Sequence, residues 1–148
     1  MRREVSAGGV LARATGPGRW EIAAISPAGR RGVWALPKGN VGRAERAEEA
    51  ALREIEEETG ARGELLEKLE DVRYVYTWRG ERVFKVVSFF LVRYTGGELG
   101  AISPDHAREV DDVCWLPLEE APRLLGYGGE RRVARKAAER LSARSQTL

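Results

Sequence analysis

Apolar residues fall in two alternating patterns along this chain, and each predicts its own elements. From Arg82 to Tyr94 the sequence RVFKVVSFFLVRY is apolar on both faces, as in a strand inside a sheet. Glu4–Ala12 and Trp20–Ser26 read as two more strands, with a turn at Gly16–Gly18 between them. Gly8-Gly9 inside the first marks a bulge or a close approach of another backbone. Trp34–Leu36 is a short strand beyond the basic loop Pro27–Gly32. Polar residues from Gly63 run into a strand, LEDVRYVYTW, that ends at Trp78. Arg79-Gly80-Glu81 is its hairpin turn. After a Gly-rich loop over Thr95–Ser103, Glu109–Leu116 forms a late strand that Pro117 ends.

Helical periodicity appears in three places. Ala44–Thr59 contains no Gly or Pro and is dominated by Ala, Leu, Arg and Glu, strong helix formers, with Gly60 suited to a left-handed cap. Leu118–Leu125 is a short helix, and Gly126–Gly129 breaks the chain. Glu130–Ala143 is a final helix that docks through Val133, Ala137, Ala138 and Leu141 and leaves its Arg residues mostly outside. Strands on either side of a helix, followed by terminal helices, predict an α/β fold with a mixed sheet between helical layers.

Composition narrows the picture slightly. The 148 residues are expected to form one domain spanning 1–148, without repeats, low-complexity tracts or a linker. A formal net charge of +2 argues neither for nor against nucleic acid, no nucleic-acid partner is expected, and the heavy use of Arg over Lys suits phosphate only weakly. Cys114 is the only cysteine, so there is no intramolecular disulfide, and its apolar neighbours predict a buried thiol. No apolar run reaches transmembrane length and the N-terminus shows no signal-peptide core, so no membrane partner and a cytoplasmic location are expected.

The chemistry concentrates on the first helix. Glu54, Glu57 and Glu58 stand at i, i+3 and i+4, which at roughly 100° per residue confines them to about 100° of arc. Ala47, Ala50, Ala51 and Ile55 project on much the same side, so the carboxylates should face a groove in the body of the protein. Like charges at these spacings repel by a few tenths of a kcal/mol per pair, roughly, and acids in a last turn oppose the helix dipole. A divalent cation reverses both penalties, and oxygen ligands suit Mg²⁺ or Mn²⁺.

The spacing is specific. Gly39 is followed by five residues and Glu45, then seven and Arg53-Glu54, then Ile55, one residue, Glu57-Glu58, one residue and Gly60. Ala61 fills the final aliphatic position. This stretch resembles the signature of the Nudix hydrolases, and the order of elements extends the resemblance over roughly residues 4 to 143. The resemblance implies an α/β/α sandwich, and hydrolysis of a nucleoside diphosphate linked to a group X. Glu54, Glu57 and Glu58 match the metal ligands, with the Gly39 carbonyl joining them. Glu54 would be the general base, and Arg53, paired with Glu45, would orient the glutamates. Glu109 would add a further ligand, a place for which Asp111 and Asp112 compete. Lys38, in the run Leu-Pro-Lys-Gly, would touch phosphate.

Tyr74, Tyr76 and Lys85 are similar to a strand pair of diadenosine polyphosphate hydrolases, and Tyr127 to a stacking tyrosine of the same group and of certain oxidised-guanine nucleotide triphosphatases. Tyr76, Lys85 and Tyr127 are thus expected to bind substrate. His106 is expected to be solvated. The expected substrate is a dinucleoside polyphosphate. The alternatives are an oxidised nucleoside triphosphate, ADP-ribose or a sugar nucleotide, and a nucleotide-sensing or RNA-associated module without turnover. A monomer or homodimer is expected.

Overall fold

The computed structural model describes residues 1–146. Its strands are β1 (Arg2–Gly16), β2 (Arg19–Pro27), β3 (Lys38–Asn40), β4 (Ala61–Trp78), β5 (Glu81–Gly97) and β6 (Val110–Pro117). Its helices are α1 (Ala47–Thr59), α2 (Ala121–Leu124) and α3 (Gly128–Gln146). The sheet runs β4-β5-β1-β2-β6. β1 and β5 are parallel from Arg2↔Val83 to Ala12↔Arg93, while β4 and β6 add antiparallel partners on either side, so the sheet is mixed.

The free edge of β1 is shared. Its first half pairs with β3, through Ser6↔Asn40 to Gly8↔Lys38, and its second half pairs with β2 from Ala12↔Ile22 onward. Gly9 N–H donates to the Pro37 carbonyl at 3.2 Å in the gap between the two pairings. A Cβ on Gly8 would strike the Pro37 carbonyl and the Lys38 side chain. Close backbone approach, one of the two options left open for Gly8-Gly9, is therefore what the glycines permit.

Strand alternation sends Val87, Phe89 and Leu91 to one face of β5 and Phe90 and Val92 to the other. The first set packs with Val10, Ile22, Val133, Ala137 and Leu141, beneath α3. The second packs with Leu11, Ala50, Ala51 and Ile55, beneath α1. The sheet thus lies between two helical layers, the predicted α/β/α sandwich.

Several boundaries differ from expectation. α1 begins at Ala47, because Gly42 and Glu45 form a turn and Glu49 folds back to accept the Arg46 N–H at 3.0 Å, making Arg46 the cap. Trp34–Leu36 makes only single bridges, Ala35 to Ile25 and Trp34 to Leu125, and the ladder forms one step later at Lys38–Asn40. β4 starts at Ala61, its polar stretch 62–70 accommodated by three register shifts against β5. Glu67 there meets Arg140 and Arg144, and Glu70 meets Arg132, so charges that suggest a loop are spent on α3. β5 runs on to Gly97. α2 is confined to Ala121–Leu124, and α3 starts at Gly128, inside the expected break. The hairpin turn Arg79-Gly80 has φ 50° and 78°, the left-handed pair that fits a two-residue connection. No helix among the described residues is long and apolar enough to cross a membrane. Cys114 is half-buried against the α3-side core.

Candidate active site

α1 ends where the sequence predicts. Gly60 is left-handed at φ 84°, and its N–H donates to the Glu56 carbonyl at 2.8 Å. Ala50, Ala51 and Ile55 are fully buried, and their neighbour Glu54 is itself only 8% exposed. The carboxyl of Glu54 rests against Gly39, and any side chain on Gly39 would occupy that volume. The loop-to-strand corner of β3 is therefore fitted to an acid of α1.

Arg53 organises the acidic face. Its Nε and Nη2 donate to the two oxygens of Glu45 at 2.7 and 2.9 Å, the forked geometry a guanidinium favours. Nη1 donates to Glu54 Oε1 at 2.8 Å and Glu57 Oε2 at 3.0 Å, and Nη2 reaches the Asn40 carbonyl at 2.9 Å. This fork, with help from the Gly42 N–H, holds Glu45 down to about 2, and the surrounding carboxylates raise the pKa of Arg53. Glu54 moves the other way: burial raises it, against the pull of Arg53.

Glu58 turns from Arg53 toward the preceding loop, where its Oε1 accepts the Lys38 backbone N–H at 2.9 Å. Burial pushes it up to about 8, with the charges of Glu54 and Glu109 adding to the rise. Glu109 lies in a short 3-10 turn just before β6, and its charge is felt by both Glu54 and Glu58. Its two rivals are committed elsewhere. Asp111 Oδ2 accepts the Gly29 N–H at 3.0 Å, and Asp112 Oδ1 accepts the Val113 N–H at 2.9 Å. His106 stands between Glu57 Oε1 and Glu109 Oε1, 3.7 Å from each, and its buried Nδ1 has no hydrogen-bond partner. A purely solvated histidine does not describe it.

The expected substrate residues separate into two groups. The Lys38 ammonium lies 5.6 Å from the ring centroid of Tyr127. Lys85 is half-buried and its pKa is lowered, chiefly by burial and then by the charge of Lys38. Tyr76 stands apart from Lys38 and Tyr127: it is 38% exposed, and its hydroxyl donates to Glu4 at 3.2 Å. Tyr74, two residues earlier on the same face of β4, borders a cleft with Tyr127, Gly128 and Arg132. Arg30 Nη1 donates to the Tyr127 hydroxyl at 3.2 Å. A second cavity of ≈ 640 Å³ beside Trp20 and Leu118 contains none of these groups.

Glu130, which in the sequence only opens the final helix, is fully buried here. Its Oε1 accepts the Leu36 N–H at 2.7 Å and its Oε2 accepts the Lys38 ammonium at 2.9 Å. The sequence carries no signal for this, since the partners lie more than ninety positions apart.

Among the described residues, no three His, Cys, Asp or Glu side chains stand ready-made around an ion. The donor set nonetheless suits a hard divalent cation in kind. Glu54, Glu57 and Glu58 offer only oxygens, and both Glu54 and Glu58 are driven toward protonation by burial. Arg53 alone spans Glu54 and Glu57.

Comparison with known proteins meets this geometry directly. The family description "NUDIX domain" matches residues 3–137. A putative mutator protein MutT4 of Mycobacterium tuberculosis is 44% identical over 140 residues, covering 92% of this chain and 55% of its own length. An 8-oxo-(d)GTP phosphatase of Mycolicibacterium smegmatis is 36% identical over 107 residues, covering 72% of this chain and 30% of its own length. The chain therefore spans about a third to a half of these relatives. Among solved structures, an Ap4A hydrolase of C. elegans in a binary complex superposes with a TM-score of 0.72 at 24% identity, covering 95% of this chain and 98% of its own. With the signature helix, the fork in the sheet and a match over most of its length, this chain belongs to the Nudix family.

Proposed function

We propose that this protein hydrolyses a phosphoanhydride bond in a nucleoside diphosphate linked to a group X, with a divalent cation as cofactor. The observation that carries this is the acidic face of α1, where Arg53 ties Glu54 and Glu57 to Glu45 of the preceding turn while Glu58 grips the Lys38 main chain. Glu54, Glu57, Glu58, Glu109 and the Gly39 carbonyl would hold Mg²⁺ or Mn²⁺. Such an ion supplies charge neutralisation on the phosphates and makes water more acidic. Glu54 takes up a proton from the attacking water, a task for which burial has already strengthened it as a base. Arg53 keeps the carboxylates in register and is a positioning residue. Lys38 and Lys85 meet the phosphates, and Tyr127 with Tyr74 flanks the nucleotide.

Two substrate classes each have an observation behind them. A dinucleoside polyphosphate is the one expected from the β4–β5 residues. Tyr76 lies outside the cleft, and the likeness to the Ap4A hydrolase, at 24% identity, is one of fold. An oxidised nucleoside triphosphate is favoured by the sequence similarity to the 8-oxo-(d)GTP phosphatase, and we place it first. Assay of 8-oxo-dGTP, diadenosine tetraphosphate and ADP-ribose side by side, each with Mg²⁺ or chelator, decides between them by product. The triphosphate yields a monophosphate and pyrophosphate; the dinucleotide yields two nucleotides. Tight nucleotide binding with no product from any substrate would identify a sensing module instead.

A further inference from the structure

We infer that Glu130 is a positioning residue that fixes the Lys38 ammonium for contact with a phosphate-bearing ligand; this rests on the hydrolase reading above. Its carboxylate is completely buried in the first turn of α3. Besides the Leu36 N–H at 2.7 Å and the Lys38 ammonium at 2.9 Å, it accepts the Tyr74 hydroxyl at 3.4 Å. A buried charge is tolerated when donors surround it, and the start of a helix adds a favourable dipole. Three donors and the N-terminal turn meet that requirement here.

The consequence is geometric. Lys38 donates its backbone N–H to Glu58 on α1 and its ammonium to Glu130 on α3. One residue is thus clamped between the two helical layers, its main chain from one side of the sheet and its side chain from the other. An ammonium carries three N–H donors, and one Glu130 oxygen takes a single one of them. Glu130 therefore orients the charge without consuming its capacity for phosphate. It also draws Tyr74 and Lys38 to the same oxygen, so the aromatic wall of the cleft and the cation share one anchor. Released from Glu130, the lysine stem is long and flexible enough to wander from that place.

The test is a double-variant cycle on Glu130→Gln and Lys38→Met. Two quantities are read: steady-state constants for the substrate identified above, and calorimetric affinity for its methylene-bridged, non-hydrolysable analogue. Glutamine keeps the volume and an acceptor for the Leu36 N–H but removes the charge that holds Lys38. E130Q is expected to raise KM and weaken analogue binding about tenfold, with kcat within about twofold of wild type. In the K38M background the same change is expected to cost nothing further. Unchanged KM and analogue affinity, or an equal penalty with and without Lys38, would reduce Glu130 to a structural tie and overturn the proposal. Should E130Q fold poorly, Glu130→Asp, which keeps the charge and shortens its reach, is held to the same standard. Wild-type protein with neither turnover nor analogue binding would sink the hydrolase reading itself, whereas active wild type with an indifferent E130Q sinks this inference alone.

Discussion

At the scale of single residues, the site is a set of acids held in unequal states. Glu58 is raised from 4.5 to about 8, so the folded protein keeps a proton that the unfolded chain releases. Its stabilising contribution is complete below about pH 4.5 and is lost as pH rises through about 8. Thermal denaturation in chelator should therefore show stability falling across that window, and Glu58→Gln should flatten the fall. A slope identical in wild type and E58Q would contradict the burial of this carboxyl. Glu45 has the opposite sign: Arg53 holds it at about 2, so its contribution exists above about 4.5 and disappears as pH falls through 2. Gly39 is decided by space. Gly39→Ala places a methyl group on the Glu54 carboxyl and is expected to cost about 1–3 kcal/mol, read from denaturant titration. A wild-type midpoint for G39A would show that the corner has room to spare. The signature residues could be read from sequence because their spacing along one helix is their spacing in space. Glu130 could not, because a lone glutamate opening a helix is commonplace and its partners come from the distant Leu36–Lys38 segment. Tyr74 and Tyr76 share a strand face, so periodicity alone could not tell which reaches the cleft.

At the scale of elements, α1 and β5 were legible because each carries one strong pattern, an unbroken run of helix formers in one and apolar residues on both faces in the other. β3 was not legible. Its three residues form a ladder only because Gly8 lets Pro37 and Lys38 come close, a condition written in another strand. The polar start of β4 was obscured in a similar way, since its charges answer arginines on α3. These two kinds of contact differ in weight. Ile55 is fully buried under the sheet, and Ile55→Ala is expected to cost about 2–5 kcal/mol. Glu67 meets Arg140 and Arg144 at half-exposed positions, and Glu67→Ala should cost under about 1 kcal/mol, less still in high salt. Urea denaturation of both variants checks the ranking, and a larger loss for E67A would mean that the surface ion pairs outweigh buried apolar packing in this fold.

At the scale of the whole molecule, the sandwich brings two helices to one corner of the sheet. β1 divides its free edge between β3 and β2, and the segment crossing that division presents Lys38 and Gly39. α1 supplies acids to Gly39 and the Lys38 main chain from one layer, and α3 supplies Glu130 to the Lys38 side chain from the other. The layered architecture was readable from the order of elements, but this meeting point was not, because it depends on where two long-range pairings on β1 stop and start. Membership of the Nudix family agrees with the layout. The most direct measurement is the rate of product release from 8-oxo-dGTP and diadenosine tetraphosphate by wild type, Glu57→Gln and Glu58→Gln, each with Mg²⁺ and with chelator. The expected result is Mg²⁺-dependent turnover by wild type, abolished by chelator and reduced at least about a hundredfold in each folded variant. Wild-type rates retained in both variants would contradict it.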